Sequence, residues 1–127
     1  MIATVSAIIF TILIGIVVLF QLGLASGMLW GEATMGGKYP GKLPPSIRTV
    51  SVFSAFILAF LTIIVLIKAE VMLTELQSFS SAAIWFVVGF STIATILNII
   101  TRSKIERKLW APTTVLLLIT STIVALN

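Results

Sequence analysis

The sequence predicts an all-α membrane protein, a bundle of four transmembrane helices in one integral domain covering residues 1–127. Three observations carry that prediction. Of the 127 residues, 59% are hydrophobic and only 9% are charged, and the mean hydropathy is +1.22; a soluble domain carries about 25% charged residues. Four apolar stretches each approach the roughly 20 residues that a helix needs to cross a hydrocarbon core about 30 Å thick. These stretches use most of the chain and leave no room for a soluble domain.

The first span is Ile2 to Leu24, with no charged side chain before Glu32 and a helix expected over 2–26. It lacks the basic leading region of a signal peptide, its apolar stretch is too long, and no small-x-small cleavage site follows Leu24, so it reads as a retained helix. Thr49 to Ile67 forms the second span, without a charge, in a helix expected over 48–69. The third, Leu76 to Thr101, crosses only with tilt or with its ends protruding, in a helix over 75–101. Leu109 to Leu126 is the fourth, short but sufficient, in a helix over 104–126.

Capping patterns support the last two helices. Thr74-x-x-Gln77 and Ser103-x-x-Glu106 both match the box in which a hydroxyl and the third-position side chain satisfy orphan backbone N–H groups. That role suits Glu106 better than a catalytic one. Pro112 leaves the Lys108 carbonyl without its helical partner, so the fourth helix either kinks there or restarts after a short interfacial helix. Trp110 suits the headgroup belt just before it.

Orientation follows the lysines and arginines. Lys38, Lys42 and Arg48 lie in the first connection, and Arg102, Lys104, Arg107 and Lys108 in the third. Only Lys68 lies in the second, beside Glu70 and Glu75. Seven of the eight positive charges on one side predict that this side is cytoplasmic, with both termini and the second connection outside. So strong a bias argues against a dual-topology, antiparallel dimer.

Small residues recur at Gly23, Gly27 and Gly31 at the end of the first helix, and at Ser51, Ala55 and Ala59 in the second. Such spacing lets two backbones approach closely where lipid supplies no hydrophobic drive. It fits packing within the bundle, or an interface with a second copy or a membrane partner. In the third helix, Ser91, Thr95 and Asn98 form a polar stripe ending near Arg102. A stripe of this kind faces protein or water, which leaves interhelical hydrogen bonds or a hydrated path; Gln21 of the first helix is the partner expected for it.

The first connection, GMLWGEATMGGKYPGKLPPSIR over residues 27–48, is dense in glycine and proline, which favours tight turns over helix. Pro44 and Pro45 precede the second helix or occupy its first turn. Trp30 and Tyr39 hold the loop at the interface. Gly36-Gly37-Lys38 lacks the phosphate-loop pattern. The cations Lys38, Lys42, Arg107 and Lys108 suit anionic lipid headgroups, at about 1 kcal/mol each.

The run Met35-Gly36-Gly37-Lys38-Tyr39-Pro40-Gly41-Lys42-Leu43-Pro44-Pro45-Ser46-Ile47-Arg48, with the later Asn98-x4-Ser103-x2-Glu106-Arg107-x2-Trp110-x-Pro112, resembles a family of small bacterial four-helix membrane proteins. The likeness spans most of the chain in order and spacing, with its sharp motifs in these two segments. It implies bacterial origin and a four-helix fold, and implies no activity; the expected location is the bacterial plasma membrane. In that family a Trp-Gly pair often lies closer to the Gly-Gly step than Trp30-Gly31 does here, where Glu32 to Met35 intervene.

Both segments fall on the side expected to be cytoplasmic. A polar cluster of Gln21, Glu32, Arg48, Asn98, Arg102 and Glu106 is expected there, centred on Asn98, Arg48 and Glu106. The chain has no Cys, His or Asp and only four glutamates, Glu32, Glu70, Glu75 and Glu106. That composition excludes disulfides, thiol chemistry, His-based triads and nearly every zinc or haem site, and no metal, cofactor or nucleic-acid partner is expected. Glu32 or Glu106 as a general base has no nucleophile paired with it in the sequence. No charge lies within the spans, where coupling sites of ion-driven transporters sit. The expected role is therefore non-catalytic association with a partner protein, itself or lipid. The alternative is a small channel or passive transporter lined by Ser91, Thr95 and Asn98.

Overall fold

The computed structural model describes residues 1–127. It contains four long helices and no strand: α1 (Ile2–Ala25), α2 (Pro45–Lys68), α3 (Gln77–Ile100) and α4 (Lys104–Leu126). All four are long and apolar enough to cross a membrane. At 1.5 Å per residue each runs about 35 Å, slightly more than the hydrocarbon core. Each helix packs on its chain neighbour, and α4 returns to α1 to close the ring. The fold is therefore a four-helix bundle of a multi-pass membrane protein. Its first and third connections share one end, here called the loop end, and the second connection shares the other with both termini.

Helix boundaries follow local chemistry. α1 ends in a Schellman motif: Gly27, at φ +99°, donates to the Leu24 carbonyl, and Met28 reaches back to Gly23 at 3.0 Å. α2 starts three residues earlier than the sequence suggested. Pro45 occupies its first position, where a missing N–H costs nothing, and the Pro44 carbonyl accepts from Ile47 and Arg48. α2 ends in a second Schellman motif with Glu70, at φ +63°, in the position that glycine normally fills. The capping box expected at Thr74 is absent. Thr74 opens a single 3₁₀ turn, and Gln77 sends its Nε2 back to the Lys68 carbonyl at 3.1 Å, closing the tight α2–α3 connection instead.

α4 continues unbroken through Pro112, neither terminating nor restarting. The hydroxyl of Thr114 accompanies the proline turn by donating to the Trp110 and Ala111 carbonyls.

The packed core lies toward the terminal end. Ala7, Phe10 and Ile14 of α1 meet Leu58, Leu61, Ile64 and Val65 of α2, Ile84 and Val87 of α3, and Leu117 and Val124 of α4. The large side chains on the outer faces, Phe53, Phe56, Phe86 and Ile100 among them, are exposed, as a lipid-facing surface requires. Toward the loop end the bundle holds a cavity.

Candidate functional site

The loop end is assembled by one long connection folded onto the start of α4. Residues 31–33 and 35–37 each make a 3₁₀ turn, and the N–H of Gly31 closes the loop on the Gly41 carbonyl at 2.8 Å. Three side chains from α4 and the turn before it hold this loop. Trp110 Nε1 donates to the Ala33 carbonyl at 2.9 Å, Ser103 Oγ donates to the Glu32 carbonyl at 2.5 Å, and Glu106 Oε2 accepts from the Gly36 N–H at 3.4 Å. Thus residues 32–36 and 103–110, distant in the chain, meet in space.

Ser103 and Glu106 form only half of the expected capping box. Ser103 Oγ accepts from the Glu106 N–H at 3.1 Å, as an N-cap should. The return bond is missing, because the Ser103 N–H is taken by Thr101 Oγ1. The Glu106 carboxylate is thereby released to reach the loop.

The glycine repeat is also not a helix-packing face, and this corrects the sequence reading. Only Gly23 lies in α1. A Cβ there would fall 2.2 Å from the Trp30 ring, so its bare surface seats that indole. Gly27 is the left-handed residue that ends α1. Gly31 lies so close to the Tyr39 and Gly41 carbonyls that no side chain fits. In α2, Ser51 and Ala55 are buried in the bundle as expected, but Ala59 is exposed on the outer face.

Trp30 stacks on Phe20 with centroids 5.9 Å apart and planes 8° from parallel, and Phe20 meets Trp110 at 4.7 Å and 56°. This aromatic wall separates two spaces. Outside it, between α1 and α4, runs an apolar groove of about 460 Å³ lined by Ile16, Leu19, Leu29, Ile105 and Leu109, with Glu32 at its edge. Inside lies a cavity of about 620 Å³ to which all four helices and the loop contribute.

Of the expected polar cluster, the cavity gathers Gln21, Asn98, Arg102 and Glu106. Glu32 faces the outer groove, and Arg48 lies beside Gly27 and Lys42, so neither lines the cavity and Arg48 is not at the centre of a shared site. The polar stripe divides as well. Ser91 and Thr95 are buried outside the cavity lining, and only Asn98 reaches it. Thr95 Oγ1 and Asn98 Nδ2 donate to the carbonyls of Ser91 and Ala94, each at 2.7 Å, rather than across helices. The carbonyl one turn back, which keeps a lone pair beside its helical bond, offers them a nearer acceptor than any neighbouring helix. Gln21 and Asn98 share the cavity without bonding to each other.

The lining is mostly apolar: Val17, Leu58, Phe90 and Leu117 floor the cavity, and Gln21, Asn98, Arg102 and Glu106 sit toward the loop.

No family model, curated protein or solved structure matches the chain.

The likeness of the two segments to small bacterial four-helix proteins therefore rests on those residues alone, and the function on the geometry. The groove was not legible beforehand, since its residues are ordinary span residues. The loop tethers carried a fainter signal in Ser103 and Trp110, seven residues apart and so on one face of α4 from its N-cap onward. No group of His, Cys, Asp and Glu residues is arranged to hold a metal.

Proposed function

We propose that the protein is a non-catalytic component of the bacterial plasma membrane that works by association, holding an amphiphilic, lipid-class molecule at its loop end. The observation that carries this is the cavity of about 620 Å³, apolar toward the bundle centre and polar toward the loop, within the range of about 300–1,000 Å³ typical of ligand sites. The loop over it is tied down by three side chains, so the site is preformed, which lowers the entropic cost of binding. In this reading the loop end faces the cytoplasm and both termini lie outside. Exposed Lys38, Lys42 and Lys108, with Arg107, rest among anionic headgroups.

Native mass spectrometry of the protein, taken from its own membrane in lipid particles without detergent, tests this. The expected spectrum shows the chain with a defined amphiphile retained. A bare chain, or a stoichiometric second protein with no retained amphiphile, overturns it. A passive pore is the second reading, favoured by Asn98 facing the cavity. It requires the Phe10, Leu61 and Val87 core to open, and solute flux in vesicles separates it from the first.

A further inference from the structure

Glu106 is the group at the loop end whose placement its structural duties leave unexplained. It is 9% exposed, and burying a carboxylate is costly unless it is well paired. Its Oε2 takes one long hydrogen bond, from the Gly36 N–H at 3.4 Å, and no protein donor engages Oε1. The carboxylate lines the inner cavity. Arg102 also lines it, but is exposed at its mouth and forms no ion pair with Glu106.

Two aromatic side chains share this cavity with the carboxylate. Phe20 and Trp110 both line the cavity, with ring centres 4.7 Å apart and planes inclined by 56°. They pack on each other, and each adds aromatic surface to the lining. A buried carboxylate without a cationic partner, in a lining that includes aromatic rings, is complementary to a positive charge with low hydration, since cation–π attraction grows when the cation is desolvated. Beyond them, Leu58 and Leu117 offer apolar surface. An anion would meet the Glu106 charge, and a bare metal ion would find one carboxylate where it needs several oxygen ligands. Counting about 1.5 Å per residue from Leu126, Glu106 stands roughly 30 Å along α4, at the loop-side edge of the hydrocarbon. Lipophilic cations collect at that depth.

We infer that the inner cavity is a binding site for a lipophilic organic cation, an ammonium or phosphonium with apolar substituents, whose charge pairs with Glu106 and whose substituents rest on the aromatic and apolar lining. This inference rests on the reading of the loop end as a binding site, and names the class of molecule held there.

The test is equilibrium dialysis of the full chain in lipid nanodiscs against tetraphenylphosphonium, with tetraphenylborate as the anion of matched shape. Saturable binding of the cation, one per chain and at least tenfold tighter than the anion, is expected. Glu106→Gln removes the charge but keeps an oxygen for the Gly36 N–H; it should weaken the cation at least tenfold with unchanged thermal unfolding. Glu75→Gln, at the opposite end, should leave binding unchanged. Equal binding by wild type and Glu106→Gln, or equal affinity for cation and anion, overturns the inference. The cation–anion comparison needs no variant and stands even if Glu106→Gln folds poorly. A native spectrum that retains a phospholipid while tetraphenylphosphonium fails to bind would sink the cation and leave the functional reading intact.

Discussion

Replacing Gly31 with alanine tests whether the loop end is as tightly built as the structure makes it. A Cβ on Gly31 would stand 1.8 Å from the Tyr39 carbonyl oxygen and 2.6 Å from that of Gly41, both backbone atoms that cannot rotate away. Accommodating it means parting the two strands of the loop and breaking the 2.8 Å bond from the Gly31 N–H to the Gly41 carbonyl. Overpacking costs about 1–3 kcal/mol, and the lost hydrogen bond about 0.5–1.5 kcal/mol. Together they give roughly 2–4 kcal/mol, a large share of a typical stability of about 5–15 kcal/mol. The assay is unfolding by increasing sodium dodecyl sulfate in mixed micelles, followed by tryptophan emission, since Trp30 and Trp110 both report on the loop. The matched control is Gly89→Ala: nothing lies within 4 Å of that position, so the methyl group brings only helix propensity, about 1 kcal/mol in the stabilising direction. If Gly31→Ala changed stability by less than about 0.5 kcal/mol with emission unaltered, the close loop closure would be refuted.

Three further substitutions read other parts of the structure by the same assay. Ser103→Ala loses both the N-cap of α4 and the bond to the Glu32 carbonyl, and should cost about 2 kcal/mol; proteolysis of the loop should quicken with it. Glu70→Gly relieves a left-handed residue at the end of α2 and should stabilise by about 1 kcal/mol, an expectation that a fall in the unfolding midpoint would contradict. Ser51 is 1% exposed and its hydroxyl has no partner, so Ser51→Ala should gain about 1 kcal/mol; a loss would reveal a partner for that hydroxyl.

The four helices were legible because spanning a bilayer imposes one length and one polarity, and both are printed in the chain. Lys38, in the first connection, and Arg107, at the start of α4, stand at one end because successive spans reverse the chain's direction. What misled was spacing taken without context. Gly23, Gly27 and Gly31 keep a helical interval, yet the helix ends at Ala25, and a glycine just past a helix end is more often its left-handed cap. Thr74 and Gln77 satisfied the capping pattern, but the brevity of the α2–α3 connection gave Gln77 a nearer carbonyl at Lys68. The site was half legible. Asn98, Arg102, Glu106 and Gln21 do surround one space, but no local pattern showed that the first loop would fold over it or that Arg48 would be left aside.

The three tethers from α4 to the loop join residues about seventy positions apart. As the chain is made from its N-terminus, Glu32, Ala33 and Gly36 emerge long before Ser103, Glu106 and Trp110 exist. Until the last helix is in place, the loop has only its own turns to hold it, and closing so long a separation is the slow kind of contact. The order of the loop is therefore a record of completed assembly: a chain stopped after α3 would present a glycine-rich segment open to proteases, and a finished one a closed cover.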